Sequence, residues 1–286
     1  MSTFTIQPMT REEMDFAVDL AAEEGWNPGL FDAEPFYATD PDGFLMGYLD
    51  GKPIGCVSAV SYEGTFGFMG FYIVLPEYRD QGYGIQLFHK ALEHLENQVI
   101  GGDGVFERLE DYQKVGFNLA YRNIRFEYWP GDISMKAERE EEGRIKPLSE
   151  VPFDLLVAYD SECFPVERRK FLEHWLKMPK SYGVGWFDEG ELKGYGVIRA
   201  CRKGYKIGPL FADNVEIAES LFRELCSFAE KGEPIYLDVP ETNLPGMNIA
   251  ERYGMTMVFG TGRIYIGEFP EIALEKIFGV TSFELG

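Results

Sequence analysis

The order of segments in this chain repeats at a nearly constant offset, and that repeat limits the fold more than any other feature. FLMGYLDGKPIGCVSAV, from Phe44, and VGWFDEGELKGYGVIRA, from Val184, each place two apolar runs around an acidic turn. DYQKVGFNLAYRNIRFEY, from Asp111, and AERYGMTMVFGTGRIYIG, from Ala250, each pass from a helix end through a glycine into a strand. Gly55 and Gly194 are 139 positions apart, and Gly116 and Gly254 are 138 apart. Two agreeing shifts predict a duplicated unit. The boundaries follow from composition. PGDISMKAEREEEGR, from Pro130, is charged and poor in large apolar residues, so residues 131–144 read as a linker between domains at 1–130 and 145–286.

Within the first unit, Thr10 and Glu13 form a capping box, and Met14, Ala17, Val18 and Ala21 mark one helical face that Gly25 ends. Asp50-Gly51 lies between two apolar runs, as in a hairpin turn, and a strand follows over about residues 66–74. Ile85, Phe88, Leu92, Leu95 and Val99 recur at steps of three and four, which predicts a helix reaching about Asn97 and broken by Gly101-Gly102. A short helix near Glu107 to Val115 and a strand from Ala120 complete the unit. The fold class is therefore α/β (α+β), with a mixed central sheet flanked by helices in each of two tandem domains.

Between the strand and the helix stands PEYRDQGYGIQLF, from Pro76. A helix N-terminus carries unpaired N–H groups and about half a positive charge, so a loop entering one can hold a phosphate through its backbone. Gly82 and Gly84 leave room for an anion, and Arg79 adds a fixed positive charge. The loop is neither a Walker sequence, lacking Gly-Lys-Ser/Thr, nor a dinucleotide fingerprint, lacking the third glycine. A local anion site matters because the chain of 286 residues carries a net charge of −21. That field disfavours nucleic acid and anionic membranes and favours a cationic partner.

Val74-Leu75-Pro76-Glu77-Tyr78-Arg79-Asp80-Gln81-Gly82-Tyr83-Gly84-Ile85 resembles the V-x-P-x-x-R-x-x-G-x-G acyl-CoA loop of the GNAT N-acetyltransferase superfamily. Tyr112-Gln113-Lys114-Val115-Gly116-Phe117 resembles the family's Y-x-x-x-G-F. The likeness covers roughly the first 130 residues, and the repeat is similar to the tandem-domain subgroup with a diverged second GNAT domain. It implies an acetyl-CoA-dependent N-acetyltransferase with acetyl-CoA as co-substrate and no metal. Ile73 and Val74 would meet the pantetheine arm, Val74 N–H would face the thioester carbonyl, and Arg79, Asp80, Gln81, Gly82, Tyr83, Gly84 and Ile85 would hold the pyrophosphate. Tyr112 would give a proton to the departing thiolate. A non-catalytic acyl-CoA-binding sensor or interaction module would share the loop.

The pattern is incomplete in two places. FMGFYIV lacks the carboxylate that many relatives carry as a base, and Val105 stands where an asparagine often touches CoA. Asp103 and Glu24 are candidate bases, with a solvated surface acid as the plain alternative. His89, His94 and His174 suggest neither a triad nor a metal site, and Cys56, Cys163, Cys201 and Cys226 are too dispersed for a zinc site. In the second unit an offset of 138 sets Ile217, Ser220 and Phe222 opposite Arg79, Gly82 and Gly84, and Ala250 opposite Tyr112, so this unit is expected to bind no CoA. Trp26, Trp186, Asp238 and Glu241 are candidates for an acceptor site at the junction, or for core. The acceptor is expected to be a primary amine on a small metabolite or a protein, cationic before acidic. With neither a basic, apolar leader nor a long apolar run, the chain reads as cytoplasmic. The sequence assigns no base, acceptor or oligomeric state.

Overall fold

The computed structural model describes residues 2–131 and 143–286, so most of the segment read as a linker, 131–144, lies outside the described residues. In chain order the first half contributes β1 (Phe4–Pro8), α1 (Arg11–Glu23), α2 (Ala33–Thr39), β2 (Phe44–Leu49), β3 (Lys52–Tyr62), β4 (Phe66–Val74), α3 (Tyr83–His94), β5 (Val99–Val105), α4 (Leu109–Lys114) and β6 (Asn118–Tyr128). The second half contributes β7 (Ile145–Pro147), α5 (Phe153–Cys163), α6 (Arg169–Trp175), β8 (Ser181–Asp188), β9 (Glu191–Ala200), β10 (Tyr205–Ala212), α7 (Val215–Cys226), β11 (Ile235–Pro240), α8 (Leu244–Arg252), β12 (Thr256–Ile266) and β13 (Ile277–Gly279). The repeat is visible strand by strand: β6 and β12 have the same length and begin 138 positions apart.

Local signals place several elements as expected. The Thr10 hydroxyl accepts from Glu13 N–H at 3.2 Å while the Glu13 carboxylate accepts from Thr10 N–H at 2.8 Å, and Met14, Ala17, Val18 and Ala21 are buried on the inner face of α1. Two segments differ from the sequence reading. α3 ends at His94, and Val99, Gly101 and Gly102 belong to β5 instead of a helix and its break. The glycines serve close packing: a Cβ on Gly101 would stand 3.0 Å from the Phe66 ring and 3.1 Å from Tyr265. α2, which the sequence reading lacked, carries Phe36 against Trp175 of α6, with ring centroids 6.0 Å apart.

The described strands form one sheet in the order β1-β2-β3-β4-β5-β12-β6-β11-β10-β9-β8-β7, with β13 beside β10. The centre of that order shows an exchange. β12 of the second half pairs antiparallel with β5 of the first, while β6 of the first half pairs antiparallel with β11 of the second. β6 and β12 pair with each other between them. Each half thus completes its sheet with the last long strand of the other. The duplicated units of the sequence are not separate bodies in space.

Buried ion pairs tie this seam. Arg263 of β12 meets Asp103 of β5 at 2.7 Å, and Arg125 of β6 meets Asp238 of β11 at 2.6 and 2.7 Å. Arg199 of β9 reaches Asp32, beside α2, at 2.8 Å. Such pairs recover little net stability over a dry core, but losing one partner strands a buried charge. Arg263→Met should therefore destabilise the fold by about 3–5 kcal/mol, read as a lower urea midpoint. The double variant Asp103→Asn/Arg263→Met should cost less than the single one. Equal midpoints for Arg263→Met and wild type would mean that Asp103 is not held as described.

Candidate active site

β4 and β5 run parallel and paired from Phe66↔Val99 to Met69↔Gly102, and no further. Beyond Met69 they separate. The cause lies in β4, where two residues, Phe71 and Tyr72, stand against one of β3: Cys56 pairs with Ile73, but Ser58 pairs with Gly70. Phe71 takes a φ of +47°, a conformation uncommon for a bulky side chain and held here by burial. On the far side β5 is held by β12, so the gap is fixed in place.

The gap opens into a cleft of about 500 Å³ bounded by β4, β5, the loop before α3, α4 and the segment after β13. Val74 turns toward it. Leu75 N–H donates to Ile54 C=O across the β3 ladder at 2.9 Å. By the alternation of antiparallel pairs, Val74 N–H then points the other way, and Ile73 is committed to β3. Of the two backbone groups singled out in the sequence, Val74 is the one facing the gap.

Gly82 caps α3 with a φ of +83° and open space where a Cβ would be, and no side chain caps the helix. A Cβ on Gly84 would stand 2.8 Å from the Tyr72 hydroxyl oxygen. The cradle exists because both side chains are missing, and it suits a phosphate group on the backbone N–H groups of α3. Arg79, Asp80, Gly84 and Ile85 line the cleft, while Gln81 donates its side-chain amide to Glu77 C=O and Tyr83 packs on Phe4. Arg79 is already engaged: it donates to Val74 C=O at 2.7 Å and ion-pairs with Glu24. Arg108 and Lys114 stand at the same mouth, two cations the sequence reading did not single out. Their helical spacing from Asp111 was the available signal.

Tyr112 projects from α4 against Gly104 of β5, where a Cβ would touch its ring at 2.8 Å, and meets Phe117 edge-on at 6.0 Å. Its hydroxyl has no hydrogen-bond partner among the described residues. Burial, with the neighbouring Tyr72 adding to it, pushes the phenol up to about 12. It therefore stays protonated throughout the neutral range.

The candidate bases fare differently. Asp103 lines the cleft but is no surface acid: its carboxylate is buried and accepts from Arg263, from Asn123 at 2.8 Å and from Thr261 at 3.3 Å. Glu24 sits at the rim in its ion pair with Arg79. Of the four junction candidates, Trp26 lines the cleft; Asp238 is locked to Arg125, Trp186 lies in the second core, and Glu241 is not part of the lining. Glu284 was not singled out. It comes from the segment after β13, lines the cleft, and is 2% exposed.

The second half shows what losing such a site involves. β10 and β11 pair from Tyr205↔Ile235 to Ile207↔Leu237 and then separate, as β4 and β5 do. Here β13 fills the wedge, pairing Leu210↔Gly279 and Phe211↔Ile277, and Val280 N–H donates to Asp238 C=O. The loop is absent rather than substituted: β10 ends at Ala212 and α7 begins at Val215, against the longer stretch from Val74 to Tyr83. Ile217, Ser220 and Phe222 are consequently interior residues of α7, not counterparts of the loop. Asn214 caps that helix, accepting from Ile217 N–H at 3.0 Å. The expected lack of a cradle agrees with the structure, by deletion and a plug.

Residues 8–117 match the family model described as "Acetyltransferase (GNAT) family", and residues 156–279 match the one described as "Acetyltransferase (GNAT) domain". The chain belongs to the GNAT superfamily, with two GNAT domains in tandem. Its chemistry is accordingly acyl transfer. A relative, "Holothin acyltransferase" of Pseudoalteromonas sp. (strain SANK 73390), is 29% identical over 284 residues, 99% of this chain and 95% of its own. "Uncharacterized N-acetyltransferase YitH" of Bacillus subtilis (strain 168) is 25% identical over 204 residues, 69% of each chain. In fold, a putative acetyltransferase from Pyrococcus horikoshii superposes with a TM-score of 0.82 at 20% identity, covering 99% of this chain and 96% of its own. A tandem GNAT protein from the clavulanic acid biosynthesis pathway gives 0.66 at 10% identity, covering 93% and 100%. Among the described residues no helix is long and apolar enough to cross a membrane.

Proposed function

We propose that this GNAT chain transfers an acyl group, acetyl in the simplest case, from acyl-CoA to a primary amine in the first-half cleft. The observation that carries this reading is the split between β4 and β5, with an uncapped glycine loop on one side and the unpartnered Tyr112 hydroxyl on the other. The word acyltransferase in the Holothin relative's name supports keeping the acyl chain open. CoA supplies the activated thioester. Gly82, Gly84 and the first N–H groups of α3 hold the pyrophosphate, with Arg79, Arg108 and Lys114 as the nearby cations; Val74 N–H faces the thioester oxygen as charge develops on it.

Tyr112 then serves the departing sulfur. A phenol near 12 lies about 3.5 units above an ordinary thiol, so a complete transfer by itself is uphill. The transfer becomes favourable when the nitrogen of the new amide returns a proton to the same oxygen. This role separates an enzyme from a module that only binds acyl-CoA, because a binding module has no use for an available hydroxyl at that place.

Binding is tested by thermal protection. CoA at about a hundred times its dissociation constant should stabilise wild type by about 2.7 kcal/mol. Gly82→Asp together with Gly84→Val should lose that protection, since one adds a charge and the other fills the cradle. Undiminished protection of the double variant would place the cofactor elsewhere.

A further inference from the structure

The cleft has a floor from the second half. After β13 the chain runs on across both splayed strand pairs. A Cβ on Gly208 of β10 would stand 2.5 Å from Thr281 C=O, and one on Gly70 of β4 would stand 2.3 Å from Glu284 C=O. Gly70 and Gly208 are 138 positions apart, the spacing of the repeat, so the same glycine admits the segment at each cleft. At the first cleft the segment presents Phe283 and Glu284 to the cavity.

Glu284 is unusual among the buried acids here. Asp32, Asp103, Asp160 and Asp238 each accept from an arginine at 2.6–2.8 Å. Glu284 makes no ion pair among the described residues, and its Oε2 is buried without a hydrogen-bond partner. A carboxylate left this way in a cavity wall requires an explanation. The charged groups around it come from four elements: Lys206 on β10, Arg125 on β6 and Arg199 on β9 favour its ionised form, and Asp32 beside α2 opposes it. Burial outweighs them and raises the carboxyl above its ordinary value.

We propose that Glu284, delivered by the second half, is the general base that takes the proton of the acceptor amine, which enters beside Trp26 and Phe283. The proposal rests on the acyl-transfer reading above. The ammonium gives one proton to Glu284, and the nitrogen lone pair forms the C–N bond. The C–S bonding pair leaves with sulfur, which takes the Tyr112 proton. The second nitrogen proton restores Tyr112, and Glu284 releases its own to water. The products are amide, free thiol and one proton.

The test measures thiol release from acetyl-CoA and octanoyl-CoA with n-butylamine, putrescine and Nα-acetyl-lysine between pH 6 and 10. With Glu284 as base, wild-type kcat/KM is flat from neutral pH toward the amine pKa, about 10.4 for a lysine-like amine. Glu284→Gln should lower kcat about 10²- to 10⁴-fold at neutral pH. Its deficit should shrink about tenfold per pH unit as free amine accumulates, while CoA protection persists. Glu284→Asp, the variant to use should Glu284→Gln fail to fold, should lose less and keep a flat profile. A Glu284→Gln enzyme equal to wild type, a deficit constant with pH, or a wild-type profile that itself climbs tenfold per unit overturns the role of Glu284 alone. No thiol release by wild type with any pair overturns the acyl-transfer reading and the base with it.

Discussion

Tyr112→Phe should lower kcat by about 10²- to 10⁴-fold and leave the dissociation constant of CoA near its wild-type value. The ring is what packs: it fills the space beside Gly104 and meets Phe117, and phenylalanine keeps both contacts. The hydroxyl bonds to no described residue, so removing it strands no partner and costs little stability. Whatever activity is lost therefore belongs to the reaction. The sign of the pH dependence follows from the raised phenol. An acid that must be protonated fails as pH rises through its pKa, and near 12 that lies beyond the assay range. Wild type should show no alkaline decline from Tyr112 below about pH 11. Single-turnover rates for the two enzymes decide the matter; equal rates for the chemical step would reduce Tyr112 to packing.

The second large effect concerns the halves. Residues 1–131 and 143–286, each expressed alone, should fail to give a cooperative unfolding transition, whereas the two together should form a complex that CoA protects. Alone, the first half has no β12 to cover β5, and its β6 has lost both β11 and β12. The second half alone leaves β11 without β6. Together they restore each pairing without a peptide bond between them. Size-exclusion chromatography and urea unfolding provide the readout. A cooperative transition in either half alone would contradict the exchange.

What the sequence disclosed was local. The Thr10 and Glu13 box, the Asp50-Gly51 hairpin and the glycine loop each act within a few residues, so their signatures are adjacent letters. β5 was hidden because VIGGDGV has glycines where a strand usually has branched side chains; Gly101 makes room for the rings of Phe66, Phe68 and Tyr265, and Gly104 for that of Tyr112. Aligned at a fixed offset, the missing loop of the second half takes the form of substitutions, since an offset does not register a deletion. Glu284 was beyond reach for a related reason. Nothing near it in sequence is catalytic, and only the close approach at Gly70, over two hundred positions earlier, brings it to the cleft.

The strand exchange also sets a timetable for synthesis. β5 ends at Val105, but the strand that covers it ends at Ile266, 161 positions later. At roughly 5–20 residues per second, β5 leaves the ribosome about 8–30 s before its neighbour is complete. Throughout that interval it is an open edge, the kind of surface on which nascent chains pair wrongly. Its composition suits the wait. Three glycines and an aspartate make a poor template for a stray strand, and the same aspartate accepts from Arg263 once β12 arrives. The residues that make β5 hard to recognise on paper are those that keep it unpaired until its partner has been made.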